Sequence, residues 1–326
     1  MLEFTFTPAP GFNFLESFSQ TFGLRPVGNR LQLPPEMGEG WLRSLTFTED
    51  FRFTIHHYRL REPLRLRRQA PQEQHGIVSF IFYTTAGPEA VLRTASITYQ
   101  HRYTMGMEVG SGDLVADILF PADTDIFIGV AAVGFRELRR LLHPGPGSEL
   151  LRTLTDPTAS FLYHESITPE ATRLLTHLSE TDDRDVLGNF YLRIRVEELL
   201  YEVLHQLALR EPHPPRPVAN TDLDNLFQLR ARILRDLSQP PVLPELAREF
   251  QLSETRMKAL FKQVFGETIY AHFQRARMAE AAALLRPGGH SVADVGYALG
   301  FTNLSHFSRL FKRYYGLTPK RYALDG

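Results

Sequence analysis

The segment Glu245–Gly266, ELAREFQLSETRMKALFKQVFG, returns about fifty residues later as Asp294–Gly316, DVGYALGFTNLSHFSRLFKRYYG. Leu246, Ala247 and Leu252 of the first copy match Val295, Gly296 and Phe301 of the second. Met257, Leu260, Phe261, Lys262 and Gly266 match Phe307, Leu310, Phe311, Lys312 and Gly316, with one extra residue in the second turn. Such a repeat constrains the fold more than any composition can, because each copy must solve the same packing problem. In the second copy, Phe307, Leu310, Phe311 and Tyr314 fall at i, i+3, i+4 and i+7, the apolar stripe of a helix. Ser305, Ser308, Arg309 and Lys312 then gather on the opposite face. Thr302 or Asn303 can cap its start, and Gly316 with Pro319 can stop it. In the first copy Ser253 is the expected cap, with Met257, Leu260, Phe261 and Val264 inward and Thr255, Lys258, Ala259 and Lys262 outward.

Each copy therefore reads as helix, short turn and capped helix, with a small residue (Ala247, Gly296) where the two helices cross. That is the helix-turn-helix pattern. One copy alone is equally well an ordinary surface helix with solvated basic residues; the duplication favours two recognition helices. Between the copies, Thr268–Pro287 is rich in Ala and Leu and lacks internal Gly or Pro, so one connecting helix is expected. Its length, about 28 Å at 1.5 Å per residue, suits two recognition helices held about 34 Å apart, one turn of B-DNA.

The features LARE…LS…LFK…FG, then RARMAEAAALL, then DVGYALGF…SHFSRLFKRYYGLTPKRY stand in an order and spacing that resemble the DNA-binding domain of AraC/XylS-type transcription regulators. The resemblance covers about a third of the chain; Ala259 stands where many members carry a larger polar residue. It implies contacts to major-groove DNA from Thr255, Arg256, Lys258 and Lys262 on the first helix. On the second it implies contacts from Asn303, Ser305, His306, Ser308, Arg309 and Lys312. Arg309, in mid-face, is the expected base reader, since a guanidinium pairs bidentately with guanine. Lys312 and Arg313 are expected to hold phosphates.

Charge is distributed accordingly. Residues 222–326 hold 15 Lys and Arg against 10 Asp and Glu, leaving 21 against 27 of the chain's 36 and 37 for the rest. All four lysines lie in the basic part, three on the two recognition helices. Basic charge on such a face is an electrostatic footprint for phosphate. The chain has no cysteine, which excludes disulfides, thiolate zinc sites and thiol redox chemistry. No Lys or Arg precedes Arg25 and Glu16 interrupts the early apolar residues, so no signal peptide is expected. Ile126–Phe135 is too short to span a bilayer. A cytoplasmic protein without membrane contact is expected.

The first two thirds read differently. Phe14, Leu15, Phe18 and Phe22 predict a short opening helix. FRFTI, IVSFIFYT, DLVADILF and DIFIGVAAV follow as strand-like runs separated by Gly, Pro and Asp, predicting a β-barrel or sandwich over roughly residues 30–133. After HPGPG (His143–Gly147) come two helical stretches, Pro169–Leu178 and Asp185–Leu209, the second able to pack on the barrel or to form a dimer seam. Arg210–Thr221 is Pro-rich and reads as an extended linker, and a helix over Asp222–Leu237 leads into the repeat. The expected fold class is α+β: a cupin-like β-barrel or sandwich with appended helices, then an all-α domain with two helix-turn-helix motifs joined by a central helix. The expected divisions are 1–150 for effector binding, 151–210 for dimerisation or packing, 211–221 as linker and 222–326 for DNA.

The family resemblance implies that the N-terminal part binds a small-molecule effector. LQLPPEMGEGWLRSL and NFYLRIRVEELLYEVLHQLAL are further similar to the branch that includes the pyochelin-responsive regulators, which points to a ferric siderophore or a similar aromatic chelate. Trp41, Phe53, Phe80 and Phe82 are the candidate ligand-facing residues, with core packing as their competing role. The run Leu64–Arg68, LRLRR, can attract an anion or can simply be a charged edge strand. No metal site or cofactor is expected: His56 and His57 are adjacent and so face opposite ways on a strand, and His75 and His101 are isolated. No nucleophile elbow or phosphate loop is present. The expected partners are double-stranded DNA, an effector of unknown identity, a second copy of the chain and RNA polymerase. The alternatives are a cupin-type enzyme fused to a DNA module and a DNA binder without an effector.

Overall fold

The computed structural model describes all residues except 72–75, 84–89, 95–96, 102–105, 143–148, 182–186, 211–217, 219, 286–289 and 326. His75, the His143–Gly147 break and most of the Pro-rich linker lie outside the described residues, and so does the side chain of His101. The chain divides into two compact units, Met1–Asp224 and Asn225–Gly326.

In the first unit the elements run β1 (Leu2–Phe6), α1 (Phe14–Phe22), β2 (Arg30–Gln32), β3 (Gly38–Thr48), β4 (Phe51–Leu60), β5 (Leu64–Arg68) and β6 (Ile77–Tyr83). They continue as β7 (Ala90–Thr94), β8 (Ile97–His101), β9 (Gly106–Ser111), β10 (Ala116–Phe120) and β11 (Asp125–Gly134). The unit closes with α2 (Phe135–Leu142), α3 (Glu149–Leu154), β12 (Leu162–Ser166), α4 (Pro169–Glu180) and α5 (Gly188–Ala208). Two sheets form, in the orders β1-β5-β10-β7-β8 and β12-β9-β6-β11-β4-β3-β2.

The seven-stranded sheet is covered on both faces, and its strands are buried almost throughout. One face carries Trp41, Leu45, Phe51, Phe53, Ile55, Phe80, Phe82, Ala131 and Val133, packed with Leu175, Leu178, Val196, Leu199 and Val203 of α4 and α5. The other carries Leu42, Tyr58, Ile81, Tyr83 and Ile128, packed with Leu64, Leu66, Ile118 and Phe120 of the five-stranded sheet and Phe18 of α1. Alternation along each strand sends neighbours to different cores. The stretch 151–210 contributes both a strand and packed helices to this unit. β12 pairs with β9 inside the sheet, and α4 and α5 roof its outer face. Two polar ties fix that roof. Arg43 donates to the Thr181 carbonyl at 2.6 Å, placing a cation at the C-terminal end of α4. Arg193 of α5 pairs with buried Glu137 of α2 at 2.9 Å.

The second unit is helical: α6 (Asn220–Arg235, which carries the chain in from the first unit), α7 (Leu243–Glu249), α8 (Glu254–Phe265), α9 (Ile269–Leu284), α10 (Val292–Ala298), α11 (Leu304–Tyr315) and α12 (Pro319–Asp325). No helix among the described residues is long and apolar enough to cross a membrane.

Candidate nucleic-acid interface

The two copies of the repeat fold alike down to single hydrogen bonds. α8 is capped by Ser253, whose Oγ accepts from the Arg256 amide at 3.2 Å, and α11 by Asn303, whose Oδ1 accepts from the His306 amide at 3.0 Å. Between the helices of each pair, Leu252 N donates to Ala247 O and Phe301 N donates to Gly296 O, both at 2.9 Å. Gln251 and Gly300, matched positions just before those turns, both take left-handed backbone, at φ 53° and 75°. Gly266 and Gly316 end the second helices in the same conformation. Gly296 permits close approach: a Cβ there would lie 2.6 Å from Leu304 Cδ2, so that side chain would have to shift.

The buried stripes differ in one respect from the sequence expectation. α8 buries Met257, Leu260, Phe261 and Val264 as expected, with Phe265 added. α11 fully buries only Phe307 and Phe311, while Leu310 is half-buried and Tyr314 exposed. The stripe continues instead to Tyr315, which stacks on Phe311 at 4.8 Å and meets Tyr322 of α12. The cause is a neighbour. Phe227 of α6 packs on Phe265 over the first copy, whereas α12 covers the second from another side. Tyr314 and Leu310 are left to line an open groove of about 500 Å³ with Tyr270, Gln274, His306 and Arg313.

The outward faces carry the sequence-predicted site residues. Thr255, Arg256 and Lys258 on α8 are exposed and Lys262 is half-buried. Lys258 pairs with Glu254 at 2.7 Å. On α11, Ser305, His306, Arg309 and Lys312 are exposed, Ser308 is half-buried, and Asn303 is occupied as the cap. Arg309 and Lys312 have no carboxylate partner among the described residues, so the second helix presents the less neutralised cations.

Two buried polar assemblies hold these faces in place. Arg277 of α9 is buried, donates Nε to the Leu299 carbonyl at 2.9 Å, and lies over the Phe301 ring at 3.9 Å and the Phe273 ring at 5.1 Å. It thereby fixes the C-terminal end of α10 against α9. Under the first copy, His272 Nδ1 lies 2.7 Å from Glu267, its Nε2 accepts from Arg230, and its ring contacts Phe261 and Phe265. Burial holds His272 below the ordinary imidazole range, against the opposing hydrogen bond to Glu267 and with the Arg230 and Arg275 charges adding to the effect. Sequence reasoning missed both assemblies. The available signal was an arginine at i+4 from Phe273 and i−4 from Ala281, on a stripe that is otherwise apolar.

The candidate effector residues occupy a different place from the one a ligand pocket between the sheets would need. Trp41, Phe53, Phe80 and Phe82 are all buried in the core beneath α4 and α5. Trp41 is covered by the Arg30 guanidinium at 4.2 Å and meets His57 edge-on. The side chains directed between the two sheets are their strand neighbours.

Residues 246–324 match the helix-turn-helix domain family. This region is an AraC-type helix-turn-helix domain. The chain is similar to the transcriptional activator RhaR of Mannheimia succiniciproducens, 31% identical over 104 residues that make up 32% of this chain and 38% of that protein. It is also similar to the transcriptional activator RhaS of Klebsiella pneumoniae, 27% identical over 47% of this chain and 64% of that protein. The alignments thus span less than two thirds of these curated relatives. Among solved structures, ToxT of Vibrio cholerae superposes over 84% of this chain and 98% of its own, with a TM-score of 0.31 and 12% identity.

Proposed function

We propose that this AraC-type chain is a cytoplasmic, sequence-specific transcription regulator, not an enzyme, whose Met1–Asp224 unit binds a small-molecule effector. The observation that carries the reading is the pair of equivalently capped α8 and α11 helices, each turning a basic, small-polar face outward. α9 between them is 16 residues long, about 24 Å at 1.5 Å per residue, a spacing that suits successive major grooves. In this reading Arg309 reads a guanine, Ser305, His306 and Ser308 adjust to neighbouring bases, and Lys312 and Arg313 neutralise phosphates. Thr255, Arg256, Lys258 and Lys262 serve the adjoining groove, and Asn303 serves as cap. The narrower resemblance makes ferric siderophores the first effectors to try, and RNA polymerase is the partner a regulator of this kind would engage.

Selection of a bound duplex from a random library with the full chain, followed by titration against salt, tests the proposal. Affinity is expected to fall steeply with salt, because each neutralised phosphate releases counterion. A folded chain that enriches no sequence and shows no salt dependence would remove it.

A further inference from the structure

The matched turns of the repeat differ in what lies on them. Gln251 bears an exposed side chain on its left-handed backbone. Gly300, in the same conformation, is pressed against the backbone of Ser238. A Cβ there would overlap the Ser238 carbonyl oxygen and lie 2.7 Å from its carbonyl carbon. Ser238 belongs to the turn that follows α6. Its neighbour Leu237 packs against the cluster that Met278 of α9 forms with Val295, Leu299, Phe301 and Phe307 of the second copy. Asp236 shapes this turn, its Oδ1 accepting from the Ser238 amide at 2.8 Å and the Ser238 hydroxyl at 2.6 Å.

The body of α6 is tied to the first copy. Asn225 Nδ2 donates to the Phe250 carbonyl, at the end of α7, at 3.4 Å. The Phe227 ring meets the Phe265 ring of α8 edge-on at 5.7 Å. Arg230 Nε donates to His272 of α9 at 3.3 Å, and its guanidinium lies over the Phe265 ring at 5.4 Å. α6 is thus anchored on one helix-turn-helix, and the turn at its end is seated on the turn between α10 and α11 of the other. From α9, Arg277 reaches the same turn through the Leu299 carbonyl at 2.9 Å. Two attachments at one turn leave the second copy little freedom to rock about α9. Spacing on DNA is sensitive to such rocking, because each base pair advances a site by about 3.4 Å and rotates it by about 35°.

We propose that Asp236, Leu237 and Ser238, seated on Gly300, form a brace that sets the separation and angle of α8 and α11, and so the number of base pairs allowed between the two sites they read. These are positioning residues, acting through the recognition helices rather than on bases. The proposal rests on the DNA-binding reading and adds to it the rule by which two sites are paired.

The test uses the full chain and a duplex selected from a random library. Hydroxyl-radical footprinting locates the two contacted segments, and duplexes with one base pair added or removed between them are compared by Kd. The parent chain is expected to bind the altered spacings about thirtyfold or more weaker. Leu237→Ala is expected to reduce that penalty to about threefold and Asp236→Ala to reduce it less, each with a smaller loss on the original spacing. Asp236 is exposed, so its alanine variant keeps the comparison if Leu237→Ala fails to fold. Val264→Ala, in the buried stripe of α8, is expected to lower Tm and keep the parent's penalty. A penalty unchanged in every brace variant that folds overturns the brace and spares the DNA-binding reading. A parent that accepts all the spacings equally does the same. An equal relaxation in Val264→Ala also overturns it, since lost stability alone would then loosen the pairing. A folded chain that selects no duplex removes both the brace and the reading beneath it.

Discussion

Arg309 and Lys312 sit one turn apart on α11, exposed and without carboxylate partners, yet they should behave differently on substitution. Arg309→Ala is expected to cost about 1–3 kcal/mol on the selected duplex and little on a scrambled one. Lys312→Ala should weaken both duplexes and reduce the salt slope by about one. Equal losses on the two duplexes for Arg309→Ala would reassign it to phosphate. At the same scale, His56 lies on the inner face of β4, 3.4 Å from the Tyr58 hydroxyl and edge-on to Phe14. Burial pushes its pKa down from 6.5 to about 4, so the folded unit holds a neutral ring that the unfolded chain would protonate. Its contribution is complete above about pH 6.5 and is lost as pH falls toward 4, on the order of 3 kcal/mol in all. Urea unfolding followed by the sole tryptophan, Trp41, should show this loss between pH 7 and 4.5. His56→Leu should flatten the profile; an unchanged pH slope would place the acid sensitivity elsewhere. Adjacency of His56 and His57 was enough to predict opposite faces, and His56 is buried while His57 is exposed. Nothing in the sequence said which ring would be the buried one, because both β4 faces are rich in apolar residues.

Among the elements, the two turns of the repeat make the sharpest contrast. Gly300 and Gln251 share a left-handed backbone, but only Gly300 is crowded. A Cβ on Gly300 would overlap the Ser238 backbone oxygen and lie 2.7 Å from its carbonyl carbon. Gly300→Ala is expected to cost about 2–4 kcal/mol, combining the unfavourable φ with the overlap. Gln251→Gly should change stability by less than about 1 kcal/mol. Chemical unfolding of the helical unit measures both, and a tolerated alanine at 300 would mean that the chain near Ser238 yields. The caps Ser253 and Gly316 were legible in sequence, and Asn303 as one of two candidates beside Thr302, because capping is local chemistry within four residues. The Tyr314 placement was not, since i and i+7 spacing cannot reveal that α6 covers one copy and α12 the other.

At the scale of the whole molecule, α5 has a second face to account for. Its inner side is buried on the sheet through Leu192, Val196, Leu199 and Val203. Phe190, Ile194 and Tyr201 project outward at spacings of four and seven, with Phe190 63% exposed. This heptad-like stripe suits a helix pair across a twofold axis. Phe190→Glu with Ile194→Glu is expected to convert a dimer to a monomer in sedimentation equilibrium. Tm in dilute solution should stay nearly unchanged, because neither side chain supports the fold. A parent chain that is monomeric at tens of micromolar would remove the seam, leaving these residues as solvent-exposed apolar side chains of an otherwise packed helix.

Local order in the second unit was written into the sequence. Repeated spacing, caps and a Gly/Pro-free connecting helix act over a few residues, so a linear reading recovers them. The strands of the first unit were also legible as strands, through β-branched and aromatic alternation. Their partners were not: β1 pairs with β5 across some sixty residues, and β12 enters the seven-stranded sheet from beyond α3. Tertiary pairing alone decided that Phe53, Phe80 and Phe82 face helices while Thr54, Ser79 and Ile81 face the other sheet. It also decided that two arginines of LRLRR meet carboxylates outside and the third lies buried inside. The physical reason is that a strand covered on both sides alternates between two interiors, and only the elements packed on each side settle which interior is which.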